Sequence, residues 1–150
     1  MLAFAVLLGS AMYFANRVLS QKDVESRSQS CSVDQVTGVE AGSPAPAHDG
    51  QQLTVRGWAA DMEVGRIPSE VELVLVGGDH VSHIIGRGKA GIERADVANA
   101  YRKPDALKSG FEIQATVAVP NAGDWKLQLV ELFPSRRVVC ETSRVLRVAK

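Results

Sequence analysis

The chain lacks an excess of charge of either sign and has few aromatic residues. Its 150 residues include 17 Lys and Arg against 17 Asp and Glu, and only 5% are Phe, Trp or Tyr. A balanced chain has no net field to attract a polyanion, and scattered aromatic residues do not form a surface on which bases stack. We therefore expect no nucleic-acid partner.

The sequence also lacks a recognisable catalytic or metal-binding pattern. No serine lies in a G-x-S-x-G context, and the carboxylates of Asp61 and Asp79 sit in predicted turns without an identifiable partner. His80 and His83 are three residues apart in a predicted strand, where this spacing points them to opposite faces. We expect no catalytic residue, no metal site and no cofactor.

The sequence contains one glycine-rich motif that resembles a cofactor-binding pattern. Residues 86–91, Gly-Arg-Gly-Lys-Ala-Gly, follow a strand-like run and match the G-x-G-x-x-G pattern of dinucleotide-binding folds. Those folds continue with a long helix and a second parallel strand, whereas this chain has Pro104 and Gly110 in that region. We interpret the motif as a flexible basic loop.

The first fifteen residues carry no side-chain charge and are almost wholly apolar. Extended to Leu19, the run would form a helix of roughly 28 Å, against a hydrocarbon core of about 30 Å. We predict that residues 1–20 are a membrane-directed helix, either an anchor or a signal peptide cleaved after Ala11. Basic residues follow the run and none precedes it, which by the positive-inside rule would place the domain in the cytoplasm. The sequence leaves the orientation open.

The two cysteines favour an exported domain. Cys31 follows the membrane-directed segment, and Cys140 lies in a late apolar run. An even number of cysteines behind an export-like segment favours a disulfide in an oxidising compartment, the alternative being two unrelated buried thiols. We expect the protein in the cell envelope, as a periplasmic or extracellular domain that is either membrane-anchored or secreted.

The rest of the chain has the pattern of a β protein. Residues 21–30 are charged and rich in serine, which indicates a stalk, and residues 31–150 contain short runs with apolar alternation. The most regular run spans residues 111–119, and residues 121–124 form a turn into the next run. We predict an all-β fold, an immunoglobulin-like antiparallel sandwich of seven or eight strands.

A single short helical crossing interrupts these strands. Asp96 is a suitable N-cap for a helix over residues 97–101, and Pro104 would end that helix. Ser109-Gly110 then supplies a bend, and we expect Phe111 to open a strand and point into the core.

Four motifs in a fixed order carry a family resemblance. They are Gly57-Trp58-Ala59-Ala60-Asp61, Ile67-Pro68 before the run at residues 71–75, Arg94-Ala95-Asp96-Val97, and Ser109-Gly110-Phe111. Over roughly residues 51–132 the chain resembles a β-sandwich accessory domain of bacterial cell-envelope proteins, including glycosyltransferases of surface-polysaccharide synthesis. The resemblance implies a non-catalytic appendage in which Trp58, Asp61, Asp96, Gly110 and Phe111 are structural. This chain departs from the family in having no glycosyltransferase domain.

These observations predict a non-catalytic binding or assembly module of the envelope, linked to surface glycan. The alternative is an envelope enzyme that acts on glycans through a site that the sequence does not reveal. Arg87, Lys89 and Arg94 lie in a glycine-containing loop that can follow an anionic glycan or a lipid head group. The expected partners are the membrane, through the N-terminal helix, and an envelope protein or glycan; the oligomeric state is open.

Overall fold

The computed structural model describes the backbone of residues 24–28 and 30–150, with side chains from residue 30 onward. The predicted membrane-directed helix at residues 1–20 lies outside the described residues. Within the described part, no helix has both the length and the apolar character needed to cross a membrane.

The described chain is mostly β-structure, which confirms the all-β prediction. It forms nine strands, one short α-helix and one 3-10 turn. In chain order these are β1 (Val24–Ser28), β2 (Cys31–Thr37), β3 (Ala45–His48), β4 (Gln52–Ala59), β5 (Glu70–Val76), β6 (Ser82–Gly88), α1 (Ala95–Tyr101), the 3-10 turn (Pro104–Ala106), β7 (Gly110–Thr116), β8 (Gly123–Phe133) and β9 (Arg136–Ala149).

The strands belong to one curled, mixed sheet. Its order is β1-β9-β8-β5-β6-β7-β4-β2, and β3 also pairs with β9. The pairs of β9 with β1 and with β3 are parallel, and the other pairs are antiparallel. The prediction of a wholly antiparallel arrangement was therefore wrong, because the long strand β9 accepts two short strands along the edge that β8 leaves open.

Two segments that the sequence assigned to irregular structure are strands. Val24–Ser28, predicted as part of a stalk, pairs with the first half of β9, from Arg136 to Cys140. Ala45–His48, predicted as part of a loop, pairs with the last residues of β9. Both are short edge strands whose pairing depends on a distant part of the chain, so local sequence did not indicate them.

The core fills the space inside the curl. Strand β8 turns Trp125, Leu127 and Leu129 inward and leaves Lys126 exposed, as the alternation requires. Phe111 is 1% exposed and lies in the same core, which confirms the expectation for that residue.

The curled sheet has two halves, one from β1 to β6 in the strand order and one made of β7, β4 and β2, and few backbone hydrogen bonds join them between β6 and β7. Between β6 and β7 only Gly86 and Ala115 pair. A Cβ atom on Gly86 would lie 2.8 Å from the carbonyl oxygen of Gln114, so glycine permits this close approach.

On the other side, side chains close the curl. Cys31 of β2 and Cys140 of β9 form a disulfide across a Cα–Cα distance of 6.3 Å, which confirms the predicted bridge. The Arg144 guanidinium donates to the carbonyl oxygens of Val33 and Asp34, the latter at 2.9 Å, where a bulge interrupts β2. The disulfide and Arg144 thus fasten the β2 edge to β9.

Candidate functional site

The helical crossing lies where the sequence predicted it, but Asp96 does not cap the helix. Helix α1 begins at Ala95, with Arg94 in the N-cap position and no side-chain cap hydrogen bond. The Arg94 guanidinium instead donates to both carboxylate oxygens of Asp96, at 2.9 and 2.7 Å. These hydrogen bonds lower the pKa of Asp96 to about 2. The capping prediction was wrong because the helix begins at Ala95, which places Asp96 inside the first turn, where its carboxylate pairs with Arg94.

Two of the three predicted anion-binding cations take part in internal ion pairs. The guanidinium group of Arg87 lies 3.2 Å from the carboxylate of the buried Glu72. The guanidinium group of Arg94 forms two ion pairs, one with the carboxylate of Asp34 at 2.6 Å and one with that of Asp96 at 2.7 Å. Lys89 is exposed and makes no ion pair with the described residues. The structure therefore does not bring the three charges together on one free surface, and anion binding here stays a prediction.

The remaining motif residues lie at or near the helical crossing and make defined contacts. Trp58 is buried in a small cluster beneath the helix, and its ring meets that of Tyr101 edge-on at 5.4 Å. Asp61 pairs with Arg136 at the start of β9. Gly110 pairs with Ile92, and a Cβ atom at Gly110 would lie 2.7 Å from the Ile92 carbonyl oxygen. The structural role that the resemblance implies for Trp58, Asp61 and Gly110 stays a prediction.

A groove of about 850 Å³ crosses the outer face of the sheet, on the side away from the core. Register places Glu72, Val130 and Val139 in one row across β5, β8 and β9, and Val74 beside Gln128 in the next row. Val74, Val130 and Val139 are buried and pack together as the apolar floor. Polar residues of both signs surround that floor, among them Asp124, Lys126, Arg137 and Glu141.

Strand β6 borders this groove with a largely unpaired edge. Its Gly86 alone pairs with β7, so residues 82–85 have a neighbouring strand only on the β5 side. Ile84 lines the groove from this edge and is 46% exposed. The groove was not predicted from the sequence. It could have been suspected from the consecutive apolar residues of β5, because such a run indicates a strand that is covered on both faces.

A buried carboxyl group lies on the opposite face of β8. Glu131 follows Trp125, Leu127 and Leu129 at the inward positions and is fully buried. Burial raises the pKa of Glu131 to about 8. The backbone amide of Ala60 acts in the opposite direction, although it does not form a hydrogen bond with either carboxyl oxygen. The sequence analysis overlooked Glu131, although its position in the alternation could have identified it.

A second buried polar group approaches the same region. The Ser109 hydroxyl is buried and has no hydrogen-bond partner among the described residues, as is also true of both Glu131 carboxyl oxygens. The Ser109 carbonyl accepts a hydrogen bond from the Ala59 amide, next to Ala60. Buried polar groups without partners destabilise a fold, so this region is a candidate for functional constraint.

Comparison with the models of known protein families and with curated protein sequences gave no match.

Proposed function

We propose that the protein is an exported, membrane-tethered module of the cell envelope that acts through binding or assembly. The observation that carries this proposal is the disulfide between Cys31 and Cys140 inside the core. Disulfides persist in oxidising compartments and are rare in the cytosol. The apolar run at residues 1–15 is of the kind that directs a chain to the membrane.

The finer assignment, an immunoglobulin-like sandwich of the envelope accessory type, belongs to the same proposal. Two features support it. The two halves of the curled sheet face one another across a shared core, and only one residue pair joins them between β6 and β7. Residues that carry the resemblance make defined contacts in the fold. Trp58 packs against the helical crossing, and Gly110 pairs with Ile92, which precedes it. Asp61 pairs with Arg136 of β9, and Phe111 is buried in the main core.

Export is tested by the oxidation state of the cysteines in cells. Cells are quenched with acid, free thiols are alkylated with a maleimide of high mass, and the chain is followed on a non-reducing gel. We expect the wild-type chain to remain unmodified until it is reduced. A variant without the residues before Asp23 would be retained in the cytosol and is expected to be modified at both thiols. Modification of both thiols in the wild-type chain would contradict export.

For the binding surface, we propose that the groove and the adjoining edge of β6 receive an extended segment of an envelope protein. An unpaired strand edge offers backbone hydrogen bonds to an added strand, and alternate side chains of that strand can then enter the groove. Ile84 and the valine floor suit apolar side chains, while Lys126 and Glu141 on the rim suit polar ones. The chemistry fits polypeptide better than glycan, because the groove residues include no Trp or Tyr on which a sugar could stack.

A photo-crosslinking amino acid at position 84 in the full chain tests this surface in cells. A matched variant carries it at position 92, because Ile92 is exposed to a similar degree, 50% against 46%, but lies outside the groove. We expect a protein adduct from position 84 and not from position 92. Adducts of equal yield from both positions, or none from position 84, would contradict the groove as the binding surface.

The alternative, an envelope enzyme acting on glycans, is favoured by one observation. A carboxyl group with a raised pKa, such as that of Glu131, is what a general acid in glycoside hydrolysis requires. Glu131, however, is fully buried and faces the core instead of the groove. Release of reducing sugar from envelope glycan by the purified chain, lost on Glu131→Gln, would establish the enzyme and reject the binding module.

A further inference from the structure

The chain enters the sheet at the end where β1 and β9 begin. Val24, the first residue of β1, lies opposite Arg136, the first residue of β9. The apolar run of the sequence extends to Leu19, so five Cα steps separate it from Val24, a span of at most about 18 Å. If the run lies in the bilayer, as the proposed function holds, this end of the sheet must lie close to the lipid head groups.

The same end carries the helical crossing and the loop between β4 and β5. Arg136 pairs with Asp61 in that loop, and Asp61 and Arg66 bridge across it. The Lys103 ammonium group donates to the carbonyl oxygen of Glu63 at 3.3 Å, which joins the loop to the residues that follow α1. We call this region, residues 60–69, 89–109 and 134–136, the helical end.

Exposed apolar side chains are concentrated at the helical end. Of the five large apolar residues that are exposed in the described chain, Val64 at 63%, Ile92 and Tyr101 lie there. The other two, Val81 and Ile84, are at and near the opposite turn, between β5 and β6. Tyrosine favours the membrane interface, because its ring is apolar and its hydroxyl stays hydrated.

The helical end also presents cations that are available to lipid phosphates. Arg66, Lys89, Arg102 and Lys108 are exposed and make no ion pair with the described residues. Most arginines of the opposite end and of the strands are in ion pairs, such as Arg147 with Asp124. Exposed acidic residues, including Glu63 and Glu93, share the helical end, so we expect the attraction to anionic lipid to be modest.

We propose that the helical end is the face that this protein rests on the bilayer, with Val64, Ile92 and Tyr101 in the head-group region. The partner surface is the phospholipid of the membrane that holds the apolar N-terminal run, so the inference rests on the proposed function. It places the turn between β5 and β6 away from the membrane, since β8 spans eleven residues, roughly 35 Å, between the two ends.

Tryptophan quenching by brominated phospholipid tests the orientation. The full chain is reconstituted in vesicles as the wild type, as Val64→Trp and, as the matched control at the far end, as Val81→Trp. Bromine quenches only at contact, and Trp58 and Trp125 give the same background in all three. We expect added quenching for Val64→Trp and none for Val81→Trp. Equal quenching in the two variants, or more in Val81→Trp, would overturn the proposal.

The contribution of charge is measured in the same vesicles. Combining Val64→Trp with Arg66→Gln, Lys89→Gln and Lys108→Gln should reduce its quenching when the vesicles contain phosphatidylglycerol, and salt should have the same effect. Unchanged quenching would refute the electrostatic part of the proposal.

A separate measurement distinguishes this inference from the proposed function. Release of the full chain from cell membranes by alkaline carbonate would refute the membrane tether and with it the orientation. Retention of the chain without quenching of Val64→Trp would refute the orientation alone.

Discussion

Replacing Glu131 by Gln should stabilise the protein, and by an amount that depends on pH. The folded-state pKa of Glu131 is raised from 4.5 to about 8 because burial disfavours the charged carboxylate. Between these two values the folded chain holds a proton that the unfolded chain releases. This group's contribution is therefore most favourable below pH 4.5 and is lost as the pH rises toward 8.

The magnitude follows from the interval between the two pKa values. Each pH unit within it costs about 1.4 kcal/mol of folding free energy, so the full interval amounts to about 5 kcal/mol and the part below pH 7 to about 3 kcal/mol. Glutamine has nearly the same shape and cannot ionise. Glu131→Gln should thus remove this loss while leaving stability near pH 4.5 little changed.

Urea denaturation at pH 5, 6, 7 and 8, with the disulfide intact, measures the effect. We expect the difference in unfolding free energy between Glu131→Gln and the wild type to grow by about 1.4 kcal/mol per pH unit midway between the two pKa values, and by less near pH 8, where the folded chain also begins to ionise. Glu112→Gln, at an exposed site on β7 that pairs with Arg56, serves as the control and should show no such growth. Parallel pH profiles for Glu131→Gln and the wild type would refute the raised pKa and the burial argument behind it.

Three further predictions concern the fold. Phe111→Ala should cost about 3 to 5 kcal/mol in denaturant titrations, because it empties a fully enclosed core position; a loss below 1 kcal/mol would mean that the site collapses or is solvated. Replacing Cys31 and Cys140 together by Ser should cost about 4 to 5 kcal/mol in the chain-entropy model, since the bridge closes a separation of 109 residues; an unchanged midpoint would contradict this. Asp96→Ala should shift the midpoint less than the loss of an N-cap usually does, because Asp96 is an exposed partner of Arg94 and does not cap α1; a shift of the size typical for a lost N-cap would restore the capping role.

The sequence predicted those strands in which apolar and polar residues alternate because one face of the strand is buried. Residues 111–116 alternate because β7 has one face on the core, and period two is the direct consequence. By contrast, Val24–Ser28 is charged and rich in serine, and it becomes a strand only because β9 offers a free edge. Pairing with a partner more than 100 residues away leaves no mark in local composition.

The candidate site was harder to predict for the same reason. The groove is formed by residues of β5, β8 and β9 whose register brings Glu72, Val130 and Val139 into one row, and that register is a property of the assembled sheet. The role of Asp96 was mistaken because capping propensity is local, whereas Arg94 is held in place by Asp34 on β2 as well.

Strand β9 connects the proposed membrane face to the proposed binding surface. Its first residues hold β1 and, through Arg136 and Asp61, the helical end; its middle carries Cys140 and lines the groove with Val139. A partner bound in the proposed groove would therefore contact the same strand that pairs with β1. Loss of the disulfide would leave Arg144 as the remaining link from that strand to Val33 and Asp34 of β2, and is expected to weaken the closure of the curl. It would leave the ladder between β8 and β9 in place, because the backbone hydrogen bonds of that ladder do not depend on the bridge.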